Sequence, residues 1–208
     1  MSSYAETRSE PTGTRRHLSA RQADTVARLA SAAMEELRDT GWTGLTVRNV
    51  ARRAGVAPAT AYTYFASKEH LVTEVFWQRV RELDRPRTAG DPDPSVRVTA
   101  ALGPVAEMVA AEPELAAACT VALLSEDAEV KRLRDEIGKH WSDLVRGAVG
   151  SDASDAQVLT IEAAFSGLML RAGMGHMPYG ALPAHISEVA EVTFSAQRTA
   201  GSRPGVDR

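Results

Sequence analysis

Residues 46–68 read TVRNVARRAGVAPATAYTYFASK, and their spacing predicts two short helices around a tight turn. Thr46 stands as an N-cap whose hydroxyl can accept from an orphan backbone N–H, and Val47, Val50, Ala51 and Ala54 follow at helical spacing. Gly55 occupies the place where a left-handed residue would end that helix, and Val56 is set to fill the angle between two helices. Pro58 suits the first turn of a second helix, where its missing N–H leaves no bond unmade. Ala61 and Phe65, four residues apart, form the inward face, which turns Pro58, Ala59, Thr60, Tyr62, Thr63 and Tyr64 outward. Small residues at the start of this helix allow close approach to a groove, and its hydroxyls can bond phosphates or base edges. This is the geometry of a helix-turn-helix. Ser67 is expected to cap a further helix, with Lys68 adding positive charge to N–H groups that already favour an anion. A corner of two helices that binds nothing has similar spacing, so the case for DNA needs more than the turn.

Upstream, Ser19 and Gln22 make a capping-box pattern, and Val26, Leu29, Ala33 and Leu37 repeat at three and four residues up to about Thr40–Gly41. Trp42 and Leu45 lie between this helix and the motif, where burial is expected. A three-helix head over residues 19–66 follows. The polar segment 1–18 offers almost nothing to bury and is expected to be flexible. Its Arg8, Arg15, Arg16 and His17 would serve either as a basic arm to a minor groove or simply as a solvated tail.

The pattern T-V-R-x-V-A-x-x-A-G-V-A-x-A-T-x-Y-x-Y-F-x-S-K-E-x-L closely resembles the DNA-binding signature of the TetR family of bacterial repressors, with similarity from about Leu18 to Leu71. The resemblance implies an all-α protein with an N-terminal three-helix DNA-binding domain and a helical ligand-binding and dimerisation domain over residues 67–202, followed by a tail at 203–208. It implies that Thr46 and Arg48 contact double-stranded DNA, that Pro58, Ala59 and Thr60 enter the major groove, and that Tyr62, Thr63, Tyr64 and Lys68 lie on the backbone or groove edge. Ala57 departs from the family's frequent Ser cap, at a cost of about 1 kcal/mol, while Ala59 and Thr63 replace a common Gly and a larger side chain. These departures bear on base preference more than on the fold.

Charge is distributed in keeping with that reading. The 208 residues carry a net charge of -3, but residues 1–68 hold ten Lys or Arg against six Asp or Glu, a balance of +4, and the remainder 14 against 21, a balance of -7. A basic head on an acidic body suits a molecule of which one end meets DNA. The single cysteine, Cys119, excludes an internal disulfide framework, and neither a spanning apolar run nor a signal core is evident, so a cytoplasmic protein with no membrane partner is expected.

Beyond the head, a helix is expected from Ser67 through Leu71, Val75, Phe76 and Val80 to about Asp84, then a loop at RPRTAGDPDP. Ser95 is read as the cap of a helix through Met108 kinked at Pro104, Glu112–Pro113 as the start of one through Leu124, and Ser125 as the opening of one to about Val149. Ser154 and Gln157 repeat the capping-box pattern before a helix with two apolar stripes. Val158, Ile161, Phe165, Leu168 and Ala172 form one, and Leu159, Ala163, Gly167, Leu170 and Met174 the other, so two neighbours are needed. A last helix runs from about Pro183 to Thr199, with Ile186, Val189, Ala190 and Thr193 on one face. The family resemblance implies that these two helices pair with their copies in a homodimer.

Met108, Cys119, Leu123, Trp141, Phe165 and Met169 are candidate walls of a cavity for a small apolar or amphipathic effector, with His140 and His176 as possible polar anchors. For any one of them taken alone, ordinary core packing is the stronger reading. No catalytic or metal-binding motif is present: GxxxxGK[ST], HExxH and GxSxG are missing and the five histidines are scattered, so neither catalysis nor a cofactor is expected.

Overall fold

The computed structural model describes residues 20–83, 91–151 and 153–201, with residues 196–201 by backbone alone. The expected arm at 1–18, its residues Arg8, Arg15, Arg16 and His17, the cap Ser19, the helix end at Asp84 and the tail at 203–208 lie outside the described residues.

Described residues are all-α. Nine helices follow one another among them: α1 (Ala20–Gly44), α2 (Val47–Arg53), α3 (Pro58–Tyr64), α4 (Lys68–Glu82), α5 (Pro94–Ala111), α6 (Pro113–Ala122), α7 (Ala128–Val149), α8 (Asp155–Gly173) and α9 (Leu182–Gly201), with a short 3-10 turn at Tyr179–Ala181. Gly41 takes φ 64°, a conformation that costs glycine little, and breaks α1 near the expected end before a last turn reaches Gly44. Helices α1 to α3 form the head. Its core joins Leu29, Ala33 and Leu37 of α1 to Leu45, Val50, Ala61 and Phe65, all buried.

Caps chosen by local chemistry agree with the sequence where one candidate stands alone. Ser154 accepts from the Gln157 N–H while the Gln157 side chain returns to the Ser154 N–H, a complete capping box. Two expected caps are corrected. Asp93, not Ser95, caps α5, because Pro94 takes the first helical position and the Asp93 Oδ1 then accepts from the Ser95 N–H at 2.8 Å. Asp127, not Ser125, caps α7, its carboxylate accepting from the Glu129 and Val130 N–H groups. Helix α5 also continues three residues past Met108 and stays helical through Pro104, so the proline does not interrupt it. Helix α6 ends at Ala122, two residues short of Leu124.

In the body, α5 packs against α9 and α7, α8 lies against α9, α7 and α6, and α4 is held between α6, α7 and α1. Arg97 of α5 donates to the Ala148 and Val149 carbonyls at 2.7 and 2.9 Å, satisfying the free end of α7. The two stripes of α8 divide as expected. Val158, Ile161, Phe165 and Ala172 are buried and Leu168 partly so, whereas Leu159, Ala163, Gly167, Leu170 and Met174 are exposed. Ile186, Ala190 and Phe194 give α9 its buried face.

Helix α8 closes on α6 at Gly173, where a Cβ would stand 2.6 Å from Thr120 Oγ1 and 2.8 Å from its Cγ2. Thr120 is β-branched and its hydroxyl donates to the Ala116 carbonyl at 2.9 Å, so it cannot easily turn aside. Gly173→Ala should therefore lower the unfolding free energy by about 1–3 kcal/mol in urea titrations. Gly147→Ala, at an open position in α7, should instead raise it by roughly 0.5–1 kcal/mol.

Candidate nucleic-acid interface and interior cavity

The turn between α2 and α3 is built as its residues dictate. Thr46 Oγ1 accepts from the Asn49 N–H at 3.1 Å, and its own proton stays available for an outside acceptor. Gly55 takes φ 64°, and the Val56 N–H returns to the Ala51 carbonyl at 2.9 Å, folding Val56 into the corner. Ala57 precedes α3 without a side-chain cap, and Pro58 opens the helix. Ala61 and Phe65 face the core, which presents Pro58, Ala59, Thr60, Tyr62 and Thr63 to solvent, with the Tyr62 ring 51% exposed. Thr46 and Arg48 are exposed beside them, while Tyr64 and Lys68 are half-buried.

Besides Thr46, two of the expected DNA contacts have internal partners. The Thr63 hydroxyl donates to the Thr60 carbonyl at 2.6 Å, which leaves it an acceptor toward solvent. Lys68 Nζ donates to the Trp42 carbonyl at 3.0 Å and lies 4.2 Å from the Trp42 ring centroid, so it braces the end of α1 against α4 with two donors left over. Two of the head's other cations have acid partners. Arg53 pairs with the buried Glu36 at 2.8 Å and with Asp39 at 2.7 Å, and Arg28 holds Asp24 and the Ala54 carbonyl. Arg48 and Arg52 form no ion pair among the described residues and stand four apart on α2, sharing one exposed face. Sequence reasoning did not single out Arg52, although its i, i+4 spacing from Arg48 places the two on one side of α2.

Head and body meet at the first turn of α4. Ser67 caps it, accepting from the His70 N–H at 3.0 Å, and donates its own proton to Asp127 Oδ2 at 2.9 Å. Asp127 thus joins the start of α4 to the start of α7. Burial works against its carboxylate, but the bonds from Ser67, Glu129 and Val130 outweigh that and hold its pKa below the usual range. His70 is buried edge-on to Phe65, and its Nδ1 accepts from the Ala66 N–H. Burial lowers its pKa, outweighing the carboxylates of Glu129, Glu74 and Asp127.

A cavity of about 280 Å³ lies among α4, α6, α7 and α8. Five of the six expected wall residues line it: Cys119, Leu123, Trp141, Phe165 and Met169. Met108 does not, because α5 is covered by α9 and α7 on the other side of the body, where Met108 packs against the core. His140 and His176 are likewise outside its lining. His140 stands between the Trp77 and Trp141 rings, 5.2 Å from each centroid, and His176 is exposed beyond α8. Sequence reasoning missed Phe76, Arg134 and Leu170 as walls. Burial pushes the Cys119 thiol up, so it stays protonated and is not poised as a nucleophile.

A family model described as "Bacterial regulatory proteins, tetR family" matches residues 29–75. The uncharacterized HTH-type transcriptional regulator Rv0767c of Mycobacterium tuberculosis (strain ATCC 25618 / H37Rv) is 44% identical over 161 residues, covering 76% of this chain and 75% of that protein. The chain belongs to the TetR family. As a TetR-family member it is a bacterial transcriptional regulator whose helix-turn-helix is the DNA-binding unit. The HTH-type transcriptional repressor KstR of Rhodococcus jostii (strain RHA1) is 31% identical over 100 residues, 48% of this chain and 47% of that protein. In fold, this TetR-family chain resembles the transcriptional regulator FadR from Bacillus subtilis, solved in complex with stearoyl-CoA. That match has a TM-score of 0.60 at 18% identity and covers 79% of this chain and 96% of that one. Among the described residues of this TetR-family chain, no helix is long and apolar enough to cross a membrane.

The lowered pKa of His70 links the junction of this TetR-family regulator to pH. Unfolded, the ring titrates at about 6.5, and folded it titrates lower, so the unfolded state binds more protons in that window. The stabilisation is present above about 6.5 and lost as pH falls through the folded value. Melting curves should show Tm falling on acidification more steeply for the natural chain than for His70→Gln.

Proposed function

We propose that this chain is a ligand-responsive repressor that binds a palindromic operator as a homodimer in the cytoplasm and is released by a small apolar or amphipathic effector. Residues 19–66 act as the DNA-binding domain and residues 67–202 as the ligand-binding and dimerisation domain. One observation carries the reading. Helix α7 lines the cavity through Ile137 and Trp141 and, at its start, accepts the Ser67 hydroxyl through Asp127, directly after the exposed face of α3. An effector that spreads α7 from α6 and α8 pulls on the first turn of α4 and reorients α3. A ligand favouring that arrangement shifts the population away from DNA, and DNA weakens the ligand by the same factor.

The exposed stripe of α8, with Leu159 at 64% and Met174 at 54% exposure, and Val192 of α9 at 76%, supports pairing of these helices with their copies. Two-fold pairing sets two α3 helices about one turn of DNA apart, where each head reads one half-site. Arg48 and Arg52 bind phosphates, and Pro58, Ala59 and Thr60 enter the groove with Tyr62 at its edge. The acyl-CoA complex of FadR and the repressor KstR favour an amphipathic effector and a silencing role.

Selection of bound fragments from a genomic library should enrich a palindrome, and unstructured enrichment would overturn the reading. On that site Arg48→Ala and Tyr62→Ala should each weaken binding by about 1–3 kcal/mol. Leu159→Glu should yield a monomer by sedimentation and weaken operator binding further than either.

A further inference from the structure

The cations of α7 divide into four with acid partners and one without. Lys131 pairs with Glu126, Arg132 with Glu129 and Glu136, Lys139 with Asp143, and Arg146 with Asp155. Arg134 forms no ion pair among the described residues, yet it is only half-exposed and is the one charged side chain lining the cavity. Its Nη1 donates to the Leu123 carbonyl at 2.7 Å, where α6 ends. That bond suits a helix C-terminus and fixes the guanidinium beside the cavity. It engages one of five N–H donors. Glu126 has its pKa lowered by its bond to Lys131 and, to a smaller extent, by the charge of Arg134, and Lys131 is its ion-pair partner.

The rest of the lining is apolar or weakly polar. Trp141, Phe165 and Met169 offer a hydrocarbon-compatible interior, and the exposed Leu124 and Leu170 mark where it meets solvent. Half-exposed at the mouth of such a cavity, the guanidinium keeps N–H donors that water or an incoming anion can take. An apolar effector would leave Arg134 unmatched, and a cationic one would be repelled. Arginine's planar fork matches the two oxygens of a carboxylate or phosphate. The volume of about 280 Å³ lies just under the roughly 300–1,000 Å³ usual for small-molecule sites, which favours a tail of modest length.

We propose that the effector is an anionic amphiphile, with its carboxylate or phosphate head on Arg134 and its aliphatic tail between Trp141, Phe165 and Met169. This rests on the ligand-responsive reading above and goes further by naming the charge of the ligand and the residue that reads it. Arg134 is thereby a specificity determinant rather than only a brace for α6.

The test is calorimetric titration of the full chain with decanoate, decyl phosphate, decanol and decyltrimethylammonium. Decanoate or decyl phosphate should bind at least tenfold more tightly than decanol, and the cation should bind worst. Arg134→Gln should abolish the preference while leaving decanol binding in place. Arg134→Lys should restore part of it, and Arg132→Gln, whose side chain is outside the cavity, should leave it unchanged. Decanol binding as tightly as both anions, or a preference that survives Arg134→Gln, overturns the anionic head while leaving a ligand-binding cavity intact. Binding of none of the four overturns the ligand-responsive reading itself. If Arg134→Gln fails to fold by circular dichroism, the natural chain still decides: equal binding of decanoate and decyltrimethylammonium refutes the proposal.

Discussion

Helix α4 is enclosed on nearly every side, and the rest of the molecule is arranged around that burial. Leu71, Val72, Val75, Phe76 and Val80 are all at most 4% exposed, and α1, α6 and α7 supply the surfaces that cover them. A helix apolar around most of its circumference cannot turn or slide without uncovering hydrocarbon to water, so it moves only as its neighbours move. Its first turn is tied by Ser67 to Asp127 and by Lys68 to Trp42, while Phe76, further along, lines the cavity. The head and the cavity therefore lie on one stiff element. In the proposed mechanism, this is why a change in the body reaches α3.

Charge pairing fixes some cations to neighbouring helices and leaves others open to solvent. Arg53 is consumed by Glu36 and Asp39, which together lock α2 against α1, with Asp39 foremost in raising its pKa. Arg48 and Arg52 on the neighbouring face form no such pair among the described residues. The same contrast recurs on α7, where Arg134 is the one cation without an ion pair among the described residues. The Arg48–Arg52 face and Arg134 sit where an anion is the proposed partner: a phosphate backbone at the head and an acidic effector at the cavity.

The legible parts of the chain were those decided within a few residues. Thr46, Gly55, Pro58 and the Ala61–Phe65 pair specify the helix-turn-helix through a cap, a positive φ and an i, i+4 face, and each appears in place. The double stripe of α8 was legible for the same reason, since its period settles which residues share a side. The capping errors at Ser95 and Ser125 arose where two side chains capable of capping lie two residues apart. At α5, Pro94 resolves the choice locally, but at α7 Asp127 also answers to Ser67, sixty residues earlier, which no local pattern reveals.

The sequence by itself determined the helices of the head, the face of α3 turned outward and the two-sided character of α8, because periodicity and turn chemistry act over four residues or fewer. Only the tertiary structure decided which helices enclose the cavity. Met108 was removed from its wall and Phe76 and Arg134 were added, since the order in which α4 to α8 pack depends on contacts between residues far apart in the chain. It also decided which charges are spent and which are free, because a cation's partner is set by the helix that lies across from it and not by its neighbours in sequence.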